Sequence, residues 1–237
     1  MQRFDGRTIV LTGVGREGQL GEVVARAFAA EGASLTLVDR DEHEVNDRAS
    51  ALRQLGYVAH AASCDLTDEA QVQALAGDVS KRHGGRLDAL VNIAGGFAMS
   101  GPVGESDSTV WRRQFDINLT TAYLATRAFL PLLRPTHGAI VYFGSAAVLP
   151  GEKAGGMSAY VAAKSGVVAL MRAVAEEERE AGVRANAVAP TAIRTAANLQ
   201  AMSATIRYVE REEVAATVLF LCSDAASAVT GQILRLA

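Results

Sequence analysis

A tyrosine and a lysine four residues apart, Tyr160 and Lys164 in "YVAAK", share one face if that segment is helical. A free tyrosine titrates near about pH 10, and a neighbouring ammonium favours its phenolate and brings it toward working range as a proton donor and acceptor. The pair alone is common by chance, so its companions matter. Ser145 ends the apolar run "AIVYFGS", Asn118 lies inside the helical pattern "QFDINLT", where asparagine is mildly unfavourable, and Asn92 closes "ALVN" ahead of Ala94, Gly95 and Gly96. Near the start, glycines at 13, 15, 18 and 21 lie between the strand-like "TIVLT" and the helix-like "GEVVARAFAAEG". Such a turn lets backbone N–H groups approach a pyrophosphate at a helix N-terminus. Asp39, at the end of "SLTLVD", can then accept hydrogen bonds from an adenosine ribose, which favours NAD over NADP because a carboxylate repels a 2′-phosphate. The adjacent Arg40 pulls the other way.

These side chains need a frame that brings strand ends together. Short runs rich in β-branched and aliphatic residues, "TIVLT", "SLTLVD", "YVAHA", "ALVNIA", "AIVYFG", "VRANAVA" and "GQILRL", alternate with helical patterns along all 237 residues. The expected fold is α/β: one doubly wound Rossmann domain over 1–237 with a mostly parallel seven-stranded sheet and helices on both faces. Ligands then lie beyond the carboxyl ends of the strands. Two segments read as long helices, 109–134 with Pro131 disturbing its end, and 158–182 closed by Gly182.

Composition excludes several classes. A formal charge of −3, without a long basic block, argues against nucleic acid. Two cysteines, Cys64 and Cys222, suit reduced thiols in a cytoplasmic protein, and four scattered histidines suggest no metal site. The N-terminus enters its first strand without room for a signal peptide, and no apolar run approaches the ~20 residues of a membrane span. "EEERE" at 176–180 reads as a solvated helix face, and Trp111 with Phe115 as a core or subunit-interface pair.

Taken in order and spacing, these residues resemble the short-chain dehydrogenase/reductases over nearly the whole chain. The marks are Thr12-Gly13, Asp39, "CDLTD" with Asp65, Asn92-x-Ala94-Gly95, Asn118, Ser145, Tyr160-x-x-x-Lys164 and "NAVAPTAIRT" ending at Thr195. The resemblance implies an NAD(P)-dependent alcohol dehydrogenase or carbonyl reductase acting on a small-molecule substrate. Tyr160 would be the general acid/base and Ser145 would hold the substrate oxygen. Lys164 would bind the nicotinamide ribose and lower the Tyr160 pKa, and Asn118 would position a relay water. Asp65 and Leu66 would flank adenine, and Thr195 would contact the nicotinamide amide or the phosphates. Arg16, Gly18, Gln19, Leu20, Asn92, Ala94, Gly95, Pro190 and Ile193 would complete the cofactor contacts. A homodimer or homotetramer is a family expectation.

The chain also departs from the family pattern. The glycine turn is two residues longer than T-G-x-x-x-G-x-G, so Gly13 is expected to make the tight turn, Gly21 the helix–strand contact, and Gly18 to stand in for the middle glycine. The literal G-x-G-x-x-G at 13, 15 and 18 is then coincidental in register. Arg16, Glu17 and Gln19 in the longer loop could add pyrophosphate contacts, or Glu17 could oppose them. The substrate lid, around 196–211, is short, and Phe97, Met99, Val148, Leu149 and Met157 suggest an apolar pocket. These departures motivate a second reading, a catalytically idle NAD(P)-binding sensor or assembly subunit. Retention of Ser145, Asn118, Tyr160 and Lys164 argues against it.

Overall fold

The computed structural model describes residues 2–201 and 206–237. In chain order the elements are β1 (Thr8–Thr12), α1 (Leu20–Ala30), β2 (Ser34–Asp39), α2 (Glu42–Gln54), β3 (Ala59–Ser63), α3 (Glu69–Arg82), β4 (Ala89–Asn92) and α4 (Ser108–Phe115). A π-helical turn, Asp116–Thr120, joins α4 to α5 (Thr121–Leu133). Then follow β5 (Ala139–Phe143), α6 (Ser158–Glu177), β6 (Arg184–Pro190), β7 (Ala192–Ile193), α7 (Ala196–Ala201), β8 (Tyr208–Val209), α8 (Arg211–Cys222) and β9 (Ile233–Leu236).

Seven strands form one sheet in the order β3-β2-β1-β4-β5-β6-β9, every pair parallel. Alternation along the strands divides the core in two. Ile9, Leu11, Leu35 and Leu37 face α1, α2 and α8, whereas Val10, Val38, Leu90 and Ile140 face α3, α5 and α6. Chain order reverses between β1 and β4, whose last residues, Thr12 and Asn92, are register partners. The crevice of a doubly wound sheet opens at that reversal.

Several boundaries differ from expectation. β3 starts at Ala59 because Tyr57 N–H still bonds to Leu52 O at the end of α2. β4 stops at Asn92, two residues before the end of "ALVNIA". The long segment after 108 is broken by the π-helical turn, while Pro131 sits inside α5, close enough to its end to remove only a terminal bond. α6 ends at Glu177, short of Gly182. It is also long and apolar enough to match a membrane span by length and composition, against the expectation that no run approached this; here it packs Ala163, Val167, Met171 and Val174 into the core. The small β7–β8 ladder was not foreseen. Of the expected lid, positions 202–205 lie outside the described residues.

Capping is equally informative. Asp41, Asp68 and Asp107 cap α2, α3 and α4 with their carboxylates, and Glu210 and Glu213 form a capping box on α8. The N-cap of α1, Gln19, gives no side-chain bond. Its first amides therefore remain available to a ligand.

Candidate active site

At the carboxyl end of β1 the chain turns sharply at Gly13, whose φ of +73° suits glycine and whose missing Cβ would stand 2.8 Å from the Ala94 backbone. A Cβ on Gly21 would meet Gly13 O at 2.4 Å, so α1 packs against the end of β1 only through that glycine. Both glycines stand where the longer-turn alignment put them. Gly18 also has positive φ, +69°, but its N–H is already donated to Glu22 Oε2 at 2.8 Å. Gly18 thus shapes the turn, and Leu20 and Gly21, in the first turn of α1, supply the available amides. Gly15 is more than a coincidence of register. Its N–H donates to Asp39 Oδ2 at 2.8 Å, and a Cβ there would stand 2.7 Å from the Asp39 carboxyl carbon.

The same point on Gly15 is 3.0 Å from Glu44 Oε2. Glu44 therefore joins Asp39 at the edge of the crevice, a neighbour that sequence reading missed. The signal was available, since Asp41 as N-cap places Glu44 in the first turn of α2. Arg16, Glu17 and Arg40 are exposed. Glu17 faces Arg48, at 4.0 Å, which offsets its charge. Asp65 is exposed and accepts two bonds from Thr67, which hold its carboxyl below the usual range, while the Leu66 side chain is buried in the core. Only the Leu66 backbone is therefore left exposed toward the crevice where Asp65 and Leu66 were expected to flank an adenine.

Asn92 is buried with Nδ2 3.4 Å from Thr126 Oγ1, and its Oδ1 has no partner among the described residues. Thr12 Oγ1 accepts Ala94 N–H at 3.2 Å, tying the ends of β1 and β4 together. On the far side of the crevice Pro190 ends β6, Ile193 pairs with Val209, and buried Thr195 caps α7 by accepting Asn198 N–H. Ala196 N–H donates to Gly18 O at 3.2 Å, so α7 begins directly against the glycine turn. Open amides, positive-φ glycines and the Asp39 carboxylate at the end of β2 together fit a dinucleotide.

Beside this cradle, Ser145 follows β5 and Tyr160 lies in the first turn of α6, near enough for the Ser145 hydroxyl to favour the Tyr160 phenolate. Lys164 is buried one turn later, with Nζ 2.8 Å from Phe143 O and 6.0 Å from the centre of the Tyr160 ring. Burial pulls the Lys164 ammonium down to about 8. The Tyr160 phenol is pushed up by burial, against a smaller downward effect of Ser145. The Lys164 ammonium, expected to lower the Tyr160 pKa, donates here to Phe143 O, and desolvation sets the direction of the Tyr160 shift.

Asn118 sits within the π-helical turn, fully buried. Its Nδ2 donates to Gly96 O and Gln114 O, each at 3.0 Å, and its Oδ1 accepts Gly96 N–H at 3.1 Å. A Cβ on Gly95 would meet Asn118 Oδ1 at 2.6 Å and Lys164 Nζ at 3.4 Å. The π-helical turn, a frequent device at functional sites, thereby presses Asn118 and the lysine onto the loop after β4. Phe97 from that loop stands edge-on to Tyr160, ring centres 5.0 Å apart, and like Met99 remains exposed. Val148, Leu149 and Met157 are half-buried nearby in chain order. Among the described residues no three His, Cys, Asp or Glu side chains gather as a metal site.

A Rossmann sheet with a hydroxyl–phenol–ammonium array beside its nucleotide crevice defines an oxidoreductase, and the chain belongs to the short-chain dehydrogenase/reductase family. A family profile described as enoyl-(acyl carrier protein) reductase matches residues 13–236. The (5R,7aS)-5-hydroxy-7a-methyl-1-oxo-2,3,5,6,7,7a-hexahydro-1H-indene-carboxyl-CoA reductase of Mycobacterium tuberculosis is 39% identical over 98% of this chain and 92% of its own length. Meso-2,3-butanediol dehydrogenase of Serratia marcescens is 35% identical over 97% and 92%. Among solved structures, a short-chain dehydrogenase from Mycobacterium smegmatis superposes with a TM-score of 0.87 at 33% identity, covering 100% of this chain and 94% of the other. A 7α-hydroxysteroid dehydrogenase complexed with NADH and 7-oxo glycochenodeoxycholic acid gives 0.90 at 31%, covering 99% and 94%. These relatives are enzymes, and nothing among them favours the idle sensor.

Proposed function

We propose that this protein interconverts a secondary alcohol and a ketone, with NAD preferred over NADP, at a site where Tyr160 exchanges the proton and Ser145, Lys164 and Asn118 support it. The observation that carries the reading is the neighbouring Ser145 and Tyr160 hydroxyls with the buried Lys164 one helical turn away, its Nζ 6.0 Å from the Tyr160 ring centre. When bound, the dinucleotide supplies or accepts the hydride. The protein holds the substrate oxygen between the Ser145 and Tyr160 hydroxyls and moves a proton at the Tyr160 oxygen. Lys164 supplies a cation on the Tyr160 face of α6, and Asn118 keeps the loop at Gly95 and Gly96 pressed against it.

The carboxylates of Asp39 and Glu44, both close to Gly15, favour ribose hydroxyls over a 2′-phosphate, and the exposed Arg40 at the end of β2 is the nearby charge that opposes this. The apolar rings and chains of Phe97 and Met99 at the mouth favour a bulky, apolar carbonyl compound over a polyol. The segment around 196–211 is read as a short lid on a single domain, 1–237. Exposed Trp111 and Tyr123 on α4 and α5 support a homodimer or homotetramer, and two buried free thiols suit the cytoplasm. Trp111 is 44% exposed in the single chain, which supports the interface over the core for it.

Tyr160→Phe tests the reading. Turnover with a panel of ketones should fall by about a thousandfold or more, the range of a lost general acid, while NADH binding by fluorescence titration stays near wild type. In the same assay wild-type kcat/KM should be higher with NADH than with NADPH. Retained turnover in Tyr160→Phe would remove the acid/base assignment, and a preference for NADPH would remove the role of Asp39.

A further inference from the structure

The longer glycine turn is held from outside. Glu22 on α1 accepts Gly18 N–H with Oε2 at 2.8 Å, and its other oxygen lies 3.1 Å from Nη1 of Arg48 on α2. Nη2 of the same guanidinium stands 4.0 Å from Glu17 Oε2, inside the extra length of the turn. The Arg48 side chain is 17% exposed, and its Nε is buried without a partner among the described residues. A cation brought so far out of water needs compensating anions, and of the two carboxylates it meets Glu17 lies in the cofactor turn and Glu22 in the first turn of α1, bonded back to that turn. Gly18 in turn accepts Ala196 N–H, so the chain of contacts runs from α2 through Glu22 and Gly18 to the start of α7.

We infer that Arg48 is a positioning residue for the dinucleotide: through Glu22 it fixes Gly18 in the left-handed conformation, and it offsets the charges of Glu17 and Glu22 beside the diphosphate cradle. The inference rests on the reading that this turn binds the diphosphate. Two added residues enlarge the set of conformations the loop must give up on binding, and a clamp reduces that loss in advance. Removing the guanidinium frees the loop and exposes two carboxylates to an incoming dianion.

The test is NADH binding by fluorescence titration, with melting curves and saturating turnover measured in parallel. Arg48→Met should weaken NADH binding by about tenfold and leave kcat at saturating NADH within about twofold, as expected for a partly buried charge-assisted contact. Arg48→Lys should recover part of the loss because it restores the charge. Glu22→Gln, which keeps an acceptor for Gly18, should weaken binding less, and Arg48→Met added to it should cost less than in the wild type. Binding within about twofold of wild type in Arg48→Met overturns the inference. So does a fall in melting temperature and kcat with unchanged binding, the mark of a merely structural pair. Wild-type protein that does not bind NADH overturns the functional reading itself, a different result from a silent Arg48.

Discussion

The proton chemistry of the site depends on two side chains whose titration burial has moved in opposite directions. Tyr160 is raised by desolvation, so its phenol is protonated at neutral pH and, in the proposed reaction, donates to a carbonyl oxygen. Oxidation of an alcohol requires the phenolate, which accumulates only as pH rises. Lys164, lowered to about 8 by burial, loses its charge before the phenol does. Profiles of kcat/KM against pH should therefore diverge, ketone reduction holding through neutrality and declining in alkali, and alcohol oxidation climbing above pH 8. A flat oxidation profile across that range would show that the phenol does not carry the proton. Tyr160 and Lys164 were legible in the sequence by their spacing together with Ser145, Asn118 and the glycine turn, but the direction of the Tyr160 shift was not, because it depends on how many atoms exclude water from the ring.

At the level of elements, the crevice is built by glycines that let backbone pass backbone. Gly21 is the strictest, since a Cβ would stand 2.4 Å from Gly13 O and neither strand end nor helix start can yield cheaply. Gly21→Ala should cost about 2 kcal/mol, the usual range for overpacking, and lower the melting temperature by roughly 5 °C. NADH titration should show weakened binding as α1 is pushed away from the turn. A variant as stable and as tightly binding as wild type would mean that α1 can slide without penalty. The π-helical turn works in the other sense, placing an asparagine inside a helix where its amide satisfies Gly96 and Gln114. Sequence reading saw an odd asparagine at 118 and could not see the widened turn that makes room for it.

For the whole molecule, one polar contact that ties the ends of α5 and α6 on the same face of the sheet was misread. The run 176–180 was expected on the surface, yet Glu178 is 5% exposed and forms a paired contact with Arg134, Nε to Oε2 at 2.8 Å and Nη2 to Oε1 at 2.7 Å. The Arg134 hydrogen bonds hold the Glu178 carboxyl below its ordinary range. A carboxylate depressed on folding stabilises the protein above its unfolded pKa, near about 4, and that contribution disappears as pH falls through the folded value. Arg134 is half exposed, so Arg134→Met should cost only about 1–2 kcal/mol at pH 7. Urea denaturation at pH 7 and pH 3 checks the sign: the gap between variant and wild type should narrow in acid. A gap that stays constant would assign the cost to lost packing.

Periodicity and punctuation were enough to determine seven parallel strands, their crossover helices and the order of the chemical residues, because apolar alternation and glycine breaks are local properties. The carboxylate pair at Gly15, the Glu22–Arg48 clamp, the burial of Glu178 and the π-helical seat of Asn118 were decided only by tertiary structure. Each joins residues far apart in sequence or depends on water exclusion, and neither distance through space nor dielectric surroundings are written in spacing along the chain.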